Sequence, residues 1–232
     1  MDERNLDLVV RNENTRDKFQ TEVVRFELDQ ILQHFVEAIQ TINAQFDVVD
    51  ELIESGKVFD GENFWRAQII FLASALDFYM HELTKYGLCE IYNENWNHTD
   101  KYENLQVNMK AIEIALKSGE DKDWFIEYIN NYYRAITMVS YESVKDQLNL
   151  LGICLASVAD GAFYQRGETE NTKARFKRRL NELFSRRNII AHQSDRAHTD
   201  AQVNIITKEI VQNFICDIEK IVRAIDAEAR NK

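Results

Sequence analysis

The chain has 232 residues, 45% of them hydrophobic, and a formal net charge of −11. Its length suits one large domain or two small ones. The negative charge opposes non-specific coating of nucleic acid or an anionic membrane, although salt screening beyond about 8–10 Å leaves room for a local basic site. Proline is absent and only seven glycines occur. Helices therefore need not be interrupted, and the composition predicts a mostly helical protein.

Apolar residues recur every three or four positions, which predicts a series of amphipathic helices. Ser55-Gly56 is expected to end the first helix, and Asp60 to cap a second that is apolar around most of its circumference and therefore central. Ser140 is a predicted cap further along, and 161–167 is the clearest break. The predicted helices cover residues 17–54, 60–92, 102–117, 122–133, 141–159, 172–192 and 200–229.

These elements predict an all-α protein, an antiparallel helical bundle with a long N-terminal helix and additional middle helices. We expect a single domain over residues 1–232, with 93–161 as a candidate inserted helical subdomain. The three cysteines have no CxxC spacing and sit in apolar runs, which predicts reduced, buried thiols. The charged N-terminus and short apolar stretches predict a cytoplasmic protein with no membrane contact.

One predicted helix is basic in this acidic chain. Between positions 173 and 187 it has one acid, Glu182, and seven basic residues, and such a patch attracts phosphate. Five of these are candidate RNA-binding residues: Lys173, Arg175, Lys177, Arg178 and Arg179. The alternative is a solvated helix face whose cations pair with acids elsewhere in the chain.

The same helix ends in a candidate catalytic set, Arg187, Asn188 and His192. Histidine moves protons near neutral pH, and arginine binds phosphate in a bidentate manner, so with an orienting amide they suit phosphodiester cleavage without a metal. Arg187 and His192 are five positions apart, about 140° around an ideal helix. They converge only if the arginine reaches around, if the helix loosens at His192, or if a second copy completes the site. The alternative is a helix C-terminus whose cations meet the negative end of the dipole.

The arrangement Arg-Asn-x-x-x-His, closing one helix before a long last helix, resembles the HEPN family (higher eukaryotes and prokaryotes nucleotide-binding), in the style of its RiboL-PSP branch. The family motif is Arg, four to six residues, then His, often with a polar residue after the Arg. Arg186 also satisfies this spacing, but Arg187 leaves Asn188 in the polar position. The helix from Phe64 resembles the family's first core helix, with Asp77 matching its acid. The resemblance covers about 64–90 and 172–229.

The resemblance implies a homodimer in which two motifs face each other, with metal-independent endoribonuclease activity and no cofactor. It implies that His192 transfers protons at the ribose 2′-OH and the leaving oxygen, that Arg187 binds the scissile phosphate, and that Asn188 orients one of them. Asp77 and Arg186 are supporting candidates, although Asp77 can instead satisfy a buried neighbour.

The same resemblance suggests a toxin–antitoxin, phage-defence or stress system, with an antitoxin or defence protein as partner. No set of residues has the spacing of a metal site. The alternative function is a non-catalytic module of the same fold that binds a partner protein or a nucleotide.

Overall fold

The computed structural model describes residues 23–119, 123–167, 169–197 and 199–232. Within these ranges the chain is all-helical and forms no β-strand, which confirms the predicted all-α fold. The described helices are α1 (Leu28–Glu54), α2 (Val58–Tyr92), α3 (Asp100–Glu103), α4 (Met109–Ser118), α5 (Asp123–Tyr133), α6 (Tyr141–Leu150), α7 (Leu155–Phe163), α8 (Thr172–Gln193) and α9 (Lys208–Arg230).

The two longest helices, α1 and α2, form an antiparallel hairpin. Gly56, with φ of +81°, lies in the turn between them, a conformation that favours glycine. Along the hairpin, Gln68 Nε2 donates to the Ile42 carbonyl oxygen at 2.9 Å, and the Phe35 and Tyr79 ring centroids are 5.9 Å apart. The predicted stop at Ser55-Gly56 is confirmed.

Helix α2 is the central element of the core, as its mostly apolar circumference predicts. It packs against α1, α5, α6, α8 and α9, and α7 packs against α8 and α9. Residues of the middle region, such as Val144 on α6 and Val158 on α7, belong to the same buried cluster as Leu72 on α2 and Ile218 on α9. The apolar faces of the middle helices α6 and α7 therefore help to hold α8 in place.

The predicted helix over 141–159 is in fact two helices. It begins as predicted, because the Ser140 hydroxyl accepts from the Ser143 amide at 3.2 Å, but α6 ends at Leu150. Gly152, with φ of +68°, turns the chain before α7 begins at Leu155. Gly161, expected in a loop, lies inside α7.

Other helix boundaries differ for local reasons. The predicted helix over 102–117 is split into α3 and α4, because the Asn108 side chain caps a new helix by accepting from the Ala111 amide. Helix α9 begins at Lys208, eight residues later than predicted, where Thr207 caps it. Asp60, the predicted cap, lies within the first turn of α2. Residues 17–22 and Lys122, expected at the starts of two helices, lie outside the described residues.

The prediction of three buried thiols is correct only for Cys89. Cys154 and Cys216 are exposed, because Cys154 lies at the N-terminal cap of α7 and Cys216 on the outer side of the amphipathic α9. In the part of the chain that the structure describes, no helix combines the length and the apolar character needed to span a bilayer.

Candidate functional site

The predicted catalytic residues lie on the last two turns of α8. The buried residues Phe176, Leu180 and Leu183 define the side of α8 that faces the core. Arg187 is four positions after Leu183 and therefore lies near that side, where it is half-buried; His192 is nine positions after Leu183, on the opposite side, and is exposed. The histidine therefore faces solvent, and the arginine lies at the edge of the packed surface.

Helix α8 stays regular through the whole motif and ends at Gln193. A loosened turn at His192, one of the three ways in which the sequence allowed the pair to converge, is therefore absent from this structure. Within the chain, Arg187 Nη1 donates to Asn188 Oδ1 at 2.9 Å. Arginine has five N–H donors, so this contact with its neighbour leaves donors for a ligand anion.

The end of α8 is fixed by Asp195, a buried carboxylate that sequence reasoning did not single out. Its Oδ2 accepts from Arg66 Nε at 2.8 Å and from Arg186 Nη2 at 2.9 Å. The two arginines come from α2 and α8, so one carboxylate joins the beginning of one helix to the end of the other. A carboxylate removed from water in this way is stable only with such charge-assisted partners.

The backbone at this point is in an unusual conformation. Ser194 and Asp195 are consecutive non-glycine residues with positive φ, +51° and +58°, a conformation that costs an L-residue roughly 1–2 kcal/mol. The Asn204 side chain compensates by donating to the Asp195 carbonyl oxygen at 3.0 Å and to Oδ1 at 3.2 Å. The chain after the motif is therefore held in one conformation by the Asp195 contacts.

Arg186, a predicted supporting residue, belongs to this structural network. Besides Asp195 it donates to the Ile205 carbonyl oxygen at 3.0 Å. Burial lowers the pKa of Arg186, and the charge of Asp195 opposes that effect. Since Arg186 is committed to these partners and Arg187 is not, the geometry favours Arg187 as the motif arginine.

Asp195 and Arg66 were missed because neither is marked by periodicity. Asp195 follows α8 in a polar stretch that reads as an ordinary linker, and its partner Arg66 is 129 residues away. The available signal was Arg66 itself, a charged residue in the apolar run of α2. A buried arginine requires a carboxylate partner, but the sequence does not say which one.

Much of the predicted RNA-binding face of α8 is engaged in contacts within the chain. Arg178 is paired with Glu170 at 3.1 Å and with Glu182 at 3.3 Å, and Arg179 is paired with Glu182 and with the buried Asp217. These contacts match the alternative of a helix face paired to acids. Lys177 also lies 4.0 Å from an acid, Glu142. The other two members differ, because Arg175 lies over the Phe163 ring and Lys173 is exposed.

Asp77 lies apart from the motif. It is eleven residues beyond Arg66 on α2, about 16 Å along the helix axis. Its Oδ1 accepts from the Met138 amide at 2.5 Å, and its Oδ2 is 3.9 Å from His81 Nε2. Asp77 thus holds the segment before α6, and it is not brought to Arg187 or His192.

The chemistry available at the end of α8 is therefore that of an exposed imidazole, a guanidinium with donors to spare, and an amide between them. The described residues contain no group of three or more His, Cys, Asp or Glu side chains placed to hold a metal ion. Comparison with protein-family models, curated proteins and solved structures found no significant match. The interpretation of the site therefore depends on its own geometry and on the resemblance of its motif.

Proposed function

We propose that this protein is a metal-independent endoribonuclease of the HEPN type that acts as a homodimer. The observation that carries the proposal is the last part of α8, where the exposed His192 and the half-buried Arg187 stand on a regular helix end. The buried Asp195 immediately after it fixes that end. Phosphodiester cleavage needs a rigidly supported acid–base group and a phosphate-binding group, and this helix end supplies one of each.

The proposed reaction uses the ribose as its own nucleophile. His192 accepts the 2′-OH proton while the 2′-oxygen attacks the adjacent phosphorus. The bond from phosphorus to the 5′-oxygen breaks, and that oxygen takes up a proton from the imidazolium. Arg187 neutralises the charge that develops on the phosphoryl oxygens, and Asn188 orients the guanidinium through their contact. The products are a 2′,3′-cyclic phosphate and a 5′-hydroxyl.

Two copies of the chain are part of this proposal. On a straight α8, the side chains of Arg187 and His192 leave the axis about 140° apart, so a phosphate bound to one arginine is not directly presented to the histidine of the same helix. If two helix ends face each other around a twofold axis, Arg187 of one copy meets His192 of the other. In this arrangement α8 stays straight in both copies.

The test is cleavage of single-stranded and structured RNA by the full-length protein in EDTA. We expect products with 2′,3′-cyclic phosphate ends, and a loss of about 10²–10⁴-fold in rate for His192→Ala, the usual contribution of a general acid–base group. Arg187→Ala is expected to lose activity as well. Arg223→Ala, which removes an exposed arginine of α9, is the matched control. Unchanged cleavage in both motif variants would overturn the proposed site.

A second candidate, a non-catalytic interaction module, is favoured by a different observation. Phe64, Phe71 and Phe78 are spaced seven residues apart on α2 and are 44%, 50% and 44% exposed. A row of exposed aromatic side chains is a common feature of protein-binding surfaces. If the protein is such a module, neither the unaltered protein nor the variants should cleave RNA in the assay above.

A further inference from the structure

An aromatic cavity lies far from the motif, at the C-terminal end of α2. It has a volume of about 220 Å³, is open on one side, and is lined by α2, α3, the segment 104–108 and α5. Seven of its thirteen lining residues are aromatic. The Tyr128 hydroxyl donates to the Gln106 carbonyl oxygen at 2.6 Å, which fastens the wall formed by the segment to α5. A cavity smaller than the roughly 300–1,000 Å³ of drug-sized sites suits a small ligand.

The ring geometry favours a rounded ligand over a flat one. The rings of Tyr92 and Trp124 are inclined at 88°, and those of Tyr132 and Tyr133 at 77°, so neighbouring walls are nearly perpendicular. The stacked pair, Tyr92 and Phe125, has its centroids only 4.3 Å apart. That separation leaves no space for a third ring between them, because stacked rings themselves require a spacing of this order.

The charge around the cavity favours a cation. Among the described residues that line it, Glu103 is the single charged side chain, and none of them is a lysine, arginine or histidine. His98 Nδ1 lies 3.8 Å from Glu103 outside the lining, and Lys110 lines a neighbouring cavity of about 320 Å³. Aromatic ring faces are electronegative and bind quaternary ammonium groups. The net charge of −11 adds a general attraction for cations.

We infer that this aromatic cavity is a binding site for a small organic cation, of the quaternary or methylated ammonium class. Glu103 and Tyr132, which are both exposed at their outer sides, form the entrance, and Tyr92, Trp124 and Tyr133 form the inner walls. The inference does not depend on the proposed ribonuclease, because none of the lining residues belongs to α8 or to the Asp195 contacts.

The test compares choline with its uncharged carbon isostere, 3,3-dimethylbutan-1-ol, in ligand-observed NMR titrations of the full-length protein. Ionic strength is matched with sodium chloride. We expect choline to bind about tenfold more tightly than the isostere, as a desolvated cation–π contact allows. Tyr132→Leu, which keeps apolar bulk, and Glu103→Gln are each expected to weaken choline about fivefold and to leave the isostere unchanged.

Two variants serve as controls, Tyr164→Leu and Glu51→Gln, which alter exposed residues outside the cavity. Since Tyr132 is 47% exposed, its replacement is not expected to unfold the protein, and circular dichroism checks this. Equal binding of choline and the isostere would overturn the inference in favour of a merely apolar cavity. Absence of choline binding, or binding that neither Tyr132→Leu nor Glu103→Gln alters, would overturn it as well.

Discussion

Arg187 and His192 stand on one uninterrupted helix, α8, yet their side chains leave its axis about 140° apart. The arginine lies at the edge of the packed surface and the histidine faces solvent. This relationship separates the two groups within one chain and makes a second copy the most economical way to bring them together. The positions of both groups depend on where α8 ends, and the contacts of Asp195 hold that end.

The support itself can be tested through Asp195. Asp195→Ala removes the closer carboxylate partner of the buried Arg66, which keeps only Glu62 at 3.4 Å, and it releases Arg186. Losing one partner of a buried pair costs about 3–5 kcal/mol. We expect the free energy of unfolding, measured by urea denaturation, to fall by about that amount. Asp47→Ala, an exposed carboxylate on α1, is expected to change it by less than about 0.5 kcal/mol. A loss below about 1 kcal/mol for Asp195→Ala would contradict the proposed support.

RNA affinity should distinguish the motif arginine from the paired arginines of α8. In a His192→Ala background, which prevents cleavage, Arg187→Ala is expected to weaken RNA binding about tenfold or more, because it removes charge-assisted contacts to phosphate. Arg178→Ala is expected to have an effect below about threefold, because Glu170 and Glu182 already hold that guanidinium. Fluorescence anisotropy measures both variants. Equal losses would show that the predicted basic face binds RNA despite its ion pairs.

The three thiols should differ in reactivity at pH 8. Hydrogen bonds from the Ser157 side chain, and then from the Ser157 and Ala156 amides, lower the pKa of Cys154. The lower pKa increases the thiolate fraction of Cys154 at a given pH. Burial raises the pKa of Cys89 to about 11, so about one molecule in a thousand carries that thiolate at pH 8. We expect a disulfide reagent to modify Cys154 and Cys216 in the folded protein, and Cys89 only after denaturation. Rapid modification of Cys89 in the native state would contradict its burial.

The sequence predicted the helices whose apolar stripes are long and whose ends have strong local signals, such as the turn at Ser55-Gly56 and the Ser140 cap. It failed where a single residue overrides periodicity. Gly152 divides α6 from α7 although apolar spacing continues across it. Helix α9 begins only after its cap, Thr207, and the spacing of apolar residues before Thr207 does not mark that start. Such boundaries depend on capping and on backbone conformation, which periodicity does not report.

The candidate site shows the same division. Arg187, Asn188 and His192 form a local motif that can be read within one helix, and the structure places them on the predicted helix end. The contacts around them are not local. Asp195 meets Arg66 only because α2 and α8 pack together, and Arg179 meets the buried Asp217 only because α8 and α9 pack together. Tertiary packing therefore decides which of the cations remain available to a ligand.

The most direct test of the two-copy site is complementation between inactive variants. Arg187→Ala and His192→Ala chains are expressed together, and the mixture is assayed for RNA cleavage in EDTA. If Arg187 of one copy acts with His192 of the other, half of the dimers contain one intact site, and about a quarter of the unaltered activity should return. Each variant alone, at the same dimer concentration, should stay inactive. Mixed dimers that form, as shown by native mass spectrometry, but recover no activity would contradict the account.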